Sequence, residues 1–295
     1  MLAKLLRRML LAQLLLGAGL GYLLSATLGW PKWSPWVMAA SWPLLTMTLI
    51  VVVSALKSRS PETSALWWRS VLGELVTEFQ IFLLRLPWTT TAPGFLPATG
   101  SAAKIPVVLV HGYLCNHRIW DDMANALRAD GHAVFAVDLE PLFTSIDRYT
   151  PIIETAVAEL CRQTGATQVA LVGHSMGGLA IRAWMRAHGT QRVASVLTLG
   201  TPHAGTQIVR NTRAQNGQQM NWRSPWLEEL ALGESDATRA LMRIAITPHD
   251  NIVYPQREQA LHGVEPIVFE GIGHVQMCLN KPVIAWVLSQ LSGTT

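Results

Sequence analysis

The sequence predicts an α/β protein whose last two-thirds form a doubly wound, mostly parallel sheet, preceded by two transmembrane helices. Two observations predict this. Six short apolar runs alternate with segments of helical periodicity over some 190 residues, and two long stretches near the N-terminus lack any charge.

The six runs are IPVVLV (105–110), AVFAVD (133–138), QVALVG (168–173), VASVLTLG (193–200), RIAIT (243–247) and EPIVFE (265–270). They are β-rich and almost wholly apolar, as parallel strands covered on both faces must be. Helical spacing marks residues 120–129, 152–161, 177–186 and 283–291. In such sheets the chemistry gathers at the carboxyl ends of the strands.

Residues 1–60 read as a membrane anchor. Spans are expected at about 9–30 and 34–56, each long enough to cross a hydrocarbon layer of roughly 30 Å, with Pro35 and Pro43 placing a late start or a kink in the second. Seven of twelve tryptophans (Trp30, Trp33, Trp36, Trp42, Trp67, Trp68 and Trp88) fall in the first third, as expected of indoles at headgroup level. The competing reading is a signal peptide at residues 1–25, against which the second apolar stretch and the lack of a small-x-small cleavage site count. Lys4, Arg7 and Arg8 before the first span, and Lys57 and Arg59 after the second, predict that both ends face the cytoplasm. Residues 61–103 read as an amphipathic helix, with Trp68, Leu72, Leu75, Val76, Phe79, Phe82, Leu83 and Leu86 at helical spacing, then a linker ending near residue 103. That helix is expected to lie in the interface or to cover a greasy face of the following domain, 104–295.

The net charge of +4 is not a nucleic-acid signal. Six basic residues and no acid lie in residues 1–60, leaving 17 basic against 19 acidic residues downstream, so no nucleic-acid partner is expected. Cys115, Cys161 and Cys278 are too few and scattered for a disulfide framework or a zinc site and read as buried, unpaired thiols, which fits a reducing compartment.

Within TQVALVGHSMGGLAIRAW, Gly173-His174-Ser175-Met176-Gly177 falls between a strand and a helix. A serine on such a turn sits in a strained backbone conformation, and its neighbours two positions away must be small; hence Gly173 and Gly177. The strain exposes the hydroxyl above the sheet, next to helix N–H groups and the positive end of the helix dipole.

A serine nucleophile needs an imidazole to take its proton and a carboxylate to orient the imidazole. His274 follows the last strand in a glycine-rich loop; His203 and His249 flank site loops and are weaker candidates. Asp250 follows the fifth of the strands, with Asp236 in reserve and an Asx turn as its structural alternative. Met176 N–H and Tyr113 N–H, the latter after the turn at Gly112, are the expected oxyanion donors.

Together VVLVHGYLCNHRIW, LVGHSMGGLAIR, LGTPHAGT, TPHDNIVYP and GIGHVQM resemble the bacterial triacylglycerol lipases and carboxylesterases of the α/β-hydrolase fold, from about Lys104 to the C-terminus. The resemblance implies ester hydrolysis through an acyl-enzyme, with Ser175, Asp250 and His274 as triad and no metal or cofactor. It departs from the family in the anchor and in a short, polar cap insertion at about 207–240, whose MNWRSPWLEELALG offers Trp222, Trp226, Leu227, Leu230 and Leu232 as a lid edge. The expected partners are an acyl-ester or lipid substrate and the bilayer. The expected location is a bacterial inner membrane, with the catalytic domain on the cytoplasmic side. Acyl transfer or thioester cleavage on the same triad, and a non-catalytic membrane scaffold, are the alternatives.

Overall fold

The computed structural model describes residues 1–100, 104–209 and 212–292. Its N-terminal third is helical: α1 (Leu2–Leu28), α2 (Ser34–Lys57) and α3 (Ser64–Glu78), the last running on through a π-helical segment (Phe79–Arg85) and a 3-10 turn (Leu86–Trp88). The rest alternates: β1 (Gly94–Leu96), β2 (Lys104–Val110), α4 (Asp121–Ala129), β3 (His132–Ala136), α5 (Thr150–Thr164), β4 (Val169–His174), α6 (Met176–His188) and β5 (Val193–Leu199). Then follow α7 (Gln215–Gln219), α8 (Pro225–Leu232), α9 (Asp236–Ala240), β6 (Met242–Ile246), β7 (Ile267–Val268) and α10 (Lys281–Ser292).

The strands form one seven-stranded sheet in the order β1-β3-β2-β4-β5-β6-β7, parallel except for β1. All six apolar runs became strands, and the four helical segments became α4, α5, α6 and α10. The segment read as linker also supplies β1, which pairs antiparallel with β3 through Gly94–Ala136 and Leu96–Val134. Three residues between Pro93 and Pro97 carry too little pattern to announce an edge strand. The boundary expected near residue 103 falls on residues 101–103, outside the described residues.

One core lies on each face of the sheet. α5 and α6 cover one, burying Ile153, Leu160, Leu179 and Trp184. α4 and α10 cover the other, where Trp120, Leu127 and Val287 meet Leu2 of α1 and Ile81 and Leu86 of the π-helical region. The start of α1 is thus part of the core that covers the sheet.

α1 and α2 are long and apolar enough to cross a membrane, and only 11% and 17% of their most apolar windows are buried. A core helix of a water-soluble domain would be mostly covered. Gly17 and Gly21, four residues apart, let the two backbones touch: a Cβ at either position would lie 2.5 Å from the carbonyl oxygen of Met38 or Ser34. Small residues at this spacing are how membrane helices pack, since lipid gives apolar side chains no reason to pair. Pro43 is accommodated inside α2.

α3 has inverted amphipathicity. Its inward face carries Ser70, Glu74, Thr77 and Glu78, all buried, alongside Trp67 and Val71. Its outward face shows Trp68, Leu72 and Val76, each more than half exposed. A helix bordering water has the reverse arrangement. The sequence pattern located the apolar stripe but did not reveal that polar residues face the protein.

The cap insertion packs beside α6. Arg182 of α6, fully buried, grips Glu234 with two hydrogen bonds of 2.6 and 2.8 Å. Breaking such a pair leaves a buried charge uncompensated, at a cost of about 3–5 kcal/mol. Arg182→Met is therefore expected to lower the thermal midpoint sharply, and Arg182→Met/Glu234→Leu to recover most of the loss. A double variant no more stable than the single one would contradict this.

Candidate active site

Ser175 sits at the junction of β4 and α6 with φ 54 and ψ −128, a left-handed conformation that costs an L-residue strain. The flanking glycines make the junction possible. A Cβ on Gly177 would lie 2.1 Å from Val110 O of β2, and one on Gly173 would lie 2.6 Å from Gly178 N. Gly112 does the same on the other side, where a Cβ would lie 2.7 Å from Ser175 Cβ. The hydroxyl has no hydrogen-bond partner among the described residues and lines a cavity shared with His274 and Tyr113.

Asp250 and His274 meet. His274 Nδ1 donates to Asp250 Oδ2 at 2.8 Å, which fixes the tautomer and leaves Nε2 as the free base. Asp250 Oδ1 accepts from the N–H groups of Ile252 and Val253 at 2.9 and 2.6 Å, so the Asx-type turn and the His contact coexist, one oxygen each. Gly200, at the end of β5, leaves room for the pair: a Cβ there would stand 3.2 Å from both Asp250 Oδ2 and His274 Nδ1. Burial works to lower the His274 pKa. It is outweighed by the charge and hydrogen bond of Asp250, with Glu74 adding, so the imidazole titrates above its ordinary 6.5.

The loop after β2, which carries the candidate oxyanion donor Tyr113, is organised by a buried histidine. His111 Nδ1 donates to Gly112 O at 2.8 Å, and its Nε2 accepts from Leu139 N–H. Because the carbonyl and N–H of a trans peptide point oppositely, fixing Gly112 O turns Tyr113 N–H the other way. Neither Tyr113 N–H nor Met176 N–H has an acceptor among the described residues.

The other sequence candidates go elsewhere. Asp236 pairs with Arg239 on the surface. His203 contacts Thr198 and Arg182, and His249 accepts from Gly271 N–H. His174, in the turn itself, donates from Nε2 to His274 O at 3.1 Å; burial, then the neighbouring His274, holds its pKa well below 6.5. It braces the backbone of His274. Trp222, Trp226, Leu227, Leu230 and Leu232 do not line the cavity: Leu227 and Leu230 are buried and Leu232 faces outward.

Sequence reasoning missed the residues of the N-terminal third that hold the site loops. Glu74 accepts from Val275 N–H at 2.8 Å and Gln276 N–H at 3.0 Å, directly after His274. Arg69 donates to Glu270 O and Gly271 O before it. Asn251 links the acid loop to α2 through Ser54 Oγ at 3.1 Å, and Gln256 Nε2 bridges Asp250 O to Ser58 O. Burial raises the Glu74 carboxyl from 4.5 to about 7, against the lowering effect of its bond from Val275. Glu78, also in the cavity wall, is raised by burial and by Glu74 to about 8. The signal in the sequence was the polar residues Arg69, Ser70, Glu74, Thr77 and Glu78 set among the apolar residues of this helix.

Residues 105–224 match the family described as alpha/beta hydrolase fold. A triacylglycerol lipase of Pseudarthrobacter phenanthrenivorans is 36% identical over 119 residues, which cover 37% of this chain and 37% of that protein. A triacylglycerol lipase of Burkholderia plantarii is also 36% identical, over 37% of this chain and 33% of its own length. The chain thus spans about a third of the length of the curated relatives it matches. Among solved structures, a mature Bacillus licheniformis lipase aligns with a TM-score of 0.55 at 17% identity, covering 67% of this chain and 99% of that one. Aspergillus fumigatus lipase B aligns with a TM-score of 0.56 at 15% identity, covering 68% and 56%. With its seven-stranded sheet and matched central segment, the chain has the α/β-hydrolase fold, and its central segment is similar to triacylglycerol lipases.

Proposed function

We propose that the protein is a membrane-anchored serine hydrolase that cleaves carboxylic esters, with lipid-like acyl esters as substrates, through an acyl-enzyme. The observation that carries this reading is the 2.8 Å Asp250–His274 bond beside a strained, unpartnered Ser175 hydroxyl facing the same cavity. Ser175 Oγ attacks the ester carbonyl while His274 Nε2 takes its proton. The tetrahedral oxyanion is held by Tyr113 and Met176 N–H. On collapse the ester C–O bond breaks, and His274 gives the proton to the departing alcohol. Water then attacks the acyl-enzyme with His274 as base, the acid leaves, and the proton returns to Ser175.

Membrane anchoring is supported by the two mostly exposed apolar helices and their glycine-mediated contact. Lys4, Arg7, Arg8, Lys57 and Arg59 stand at the end of the hairpin that joins the catalytic domain, against Lys32 alone at its tip. By the positive-inside rule the domain lies on the cytoplasmic side of a bacterial inner membrane.

Ser175→Ala is expected to cut turnover of p-nitrophenyl esters by about a millionfold while leaving the thermal midpoint unchanged or higher. Turnover at the wild-type rate would refute the assignment. Because His274 must be neutral to act as base, kcat/KM is expected to rise with pH along a limb set by its raised pKa. Asp250→Asn is expected to lower kcat by about ten-thousand-fold and move that limb to lower pH. Glu74→Gln removes a negative charge near His274 and should shift the limb the same way, with a much smaller loss of kcat. A limb that stays in place in both variants would contradict the electrostatic account.

A further inference from the structure

The geometry points to an acyl-chain site built by the membrane hairpin itself, which receives a long-chain ester laterally from the adjoining leaflet. This rests on Ser175 being the nucleophile. The cavity that Ser175 and His274 share is also walled by residues of α1 and α2, and its volume of about 360 Å³ is that of a small-molecule site. Met9, Leu10 and Gln13 of α1 and Met47 and Ile50 of α2 wall the far part. Gln13 Oε1 accepts from Thr46 Oγ1 at 3.3 Å, so these two polar groups meet part of each other's hydrogen-bonding need. The reactive groups are gathered at one end and the hydrocarbon at the other, which is the polarity of a fatty acyl ester.

The depth of the hairpin says where that ligand comes from. Arg8 is the last charge of α1, and twenty residues, 9–28, follow it in the helix. At about 1.5 Å per residue they span about 30 Å, the hydrocarbon thickness of a bilayer. With the exposed Trp30, Trp33 and Trp36 at the far interface, the near edge of the hydrocarbon falls at Met9. That residue lies in the cavity wall, with Leu6 before it and Leu10 and Gln13 after it. The turn from Met9 to Gln13 and the facing turn from Met47 to Ile50 therefore lie inside the near leaflet.

α3 supports the same depth from another element. Trp68, Leu72 and Val76 are exposed along one stripe, continued by Leu84 and Trp88. An apolar outer face on a helix whose polar face is buried fits the headgroup boundary and not water. The catalytic domain thus rests on the bilayer, with the cavity walled by hairpin turns that lie at the depth of the acyl chains.

The test compares kcat/KM for palmitoyl and butyryl p-nitrophenyl esters, with the full chain reconstituted in phosphatidylethanolamine and phosphatidylglycerol vesicles. Leu10→Trp and Met47→Trp fill the cavity and should lower the palmitoyl-to-butyryl ratio by about tenfold or more, the scale on which an apolar pocket discriminates chain size. Leu49→Trp, on the lipid-facing side of α2, should leave the ratio within about twofold. An unchanged ratio in both cavity variants would overturn the acyl site, whereas a wild-type chain that cleaves neither ester would sink the reading of Ser175. A second measurement avoids any effect of the tryptophans on folding. In Ser175→Ala, a palmitoyl ester bearing a terminal diazirine should crosslink on irradiation to hairpin peptides containing Leu10 or Met47. Adducts confined to the cap around α8 would overturn the proposal.

Discussion

No side chain fits at position 177, and most of the site follows from that. A Cβ there would press into Val110 O, so α6 can begin directly under the end of β4 only because Gly177 is bare. This close approach forces Ser175 to φ 54 and turns its hydroxyl out over the sheet. It also aims the first N–H groups of α6 at the same point, where developing negative charge is stabilised. The loops after β2, β6 and β7 then deliver Tyr113, Asp250 and His274 to the rim of the sheet. The strain at Ser175 is held in place by two apolar cores that grip the strands from both faces.

The N-terminal third is more than a tether. The loop bearing His274 is held by Glu74 and Arg69, and the loop bearing Asp250 by contacts to Ser54 and Ser58. Leu2 lies in the same core as the sheet. The N-terminal third therefore acts on the site in two ways: it holds the loops bearing Asp250 and His274, and its first two helices wall the cavity. The Glu74 carboxyl is buried and pushed up to about 7, yet it takes two backbone N–H groups beside the catalytic base. A lid, the device by which many cavities for greasy substrates are closed, is not what α8 supplies here; the place over the cavity is taken by α1 and α2.

Much of this was legible in the sequence, and the legible part has a common cause. The strands are buried on both faces, so their apolar runs stand out whatever their partners are. The turn at Ser175 is read because backbone strain demands glycines at fixed spacing. Asp250 and His274 were found by their place after strands and their order in the chain. Their meeting at 2.8 Å depends on the three-dimensional closure of two loops, which no local pattern encodes. The edge strand β1 was missed because Gly94–Leu96 is too short to show alternation. The roles of Glu74 and Glu78 were missed because a sequence shows the periodicity of a helix but not which of its faces meets protein. The expectation that Trp222 and Trp226 would edge a lid failed because the insertion found a better partner in α6, where Arg182 and Glu234 lock it down.

The most direct measurement of the central claim is the site of covalent capture. The full chain in lipid vesicles is treated with an alkyl fluorophosphonate, and the adduct is mapped by peptide mass spectrometry. The account predicts a single adduct on Ser175 in the wild-type chain and its near-complete loss in His274→Ala. An adduct on another residue, or equal capture at Ser175 without the imidazole, would contradict it.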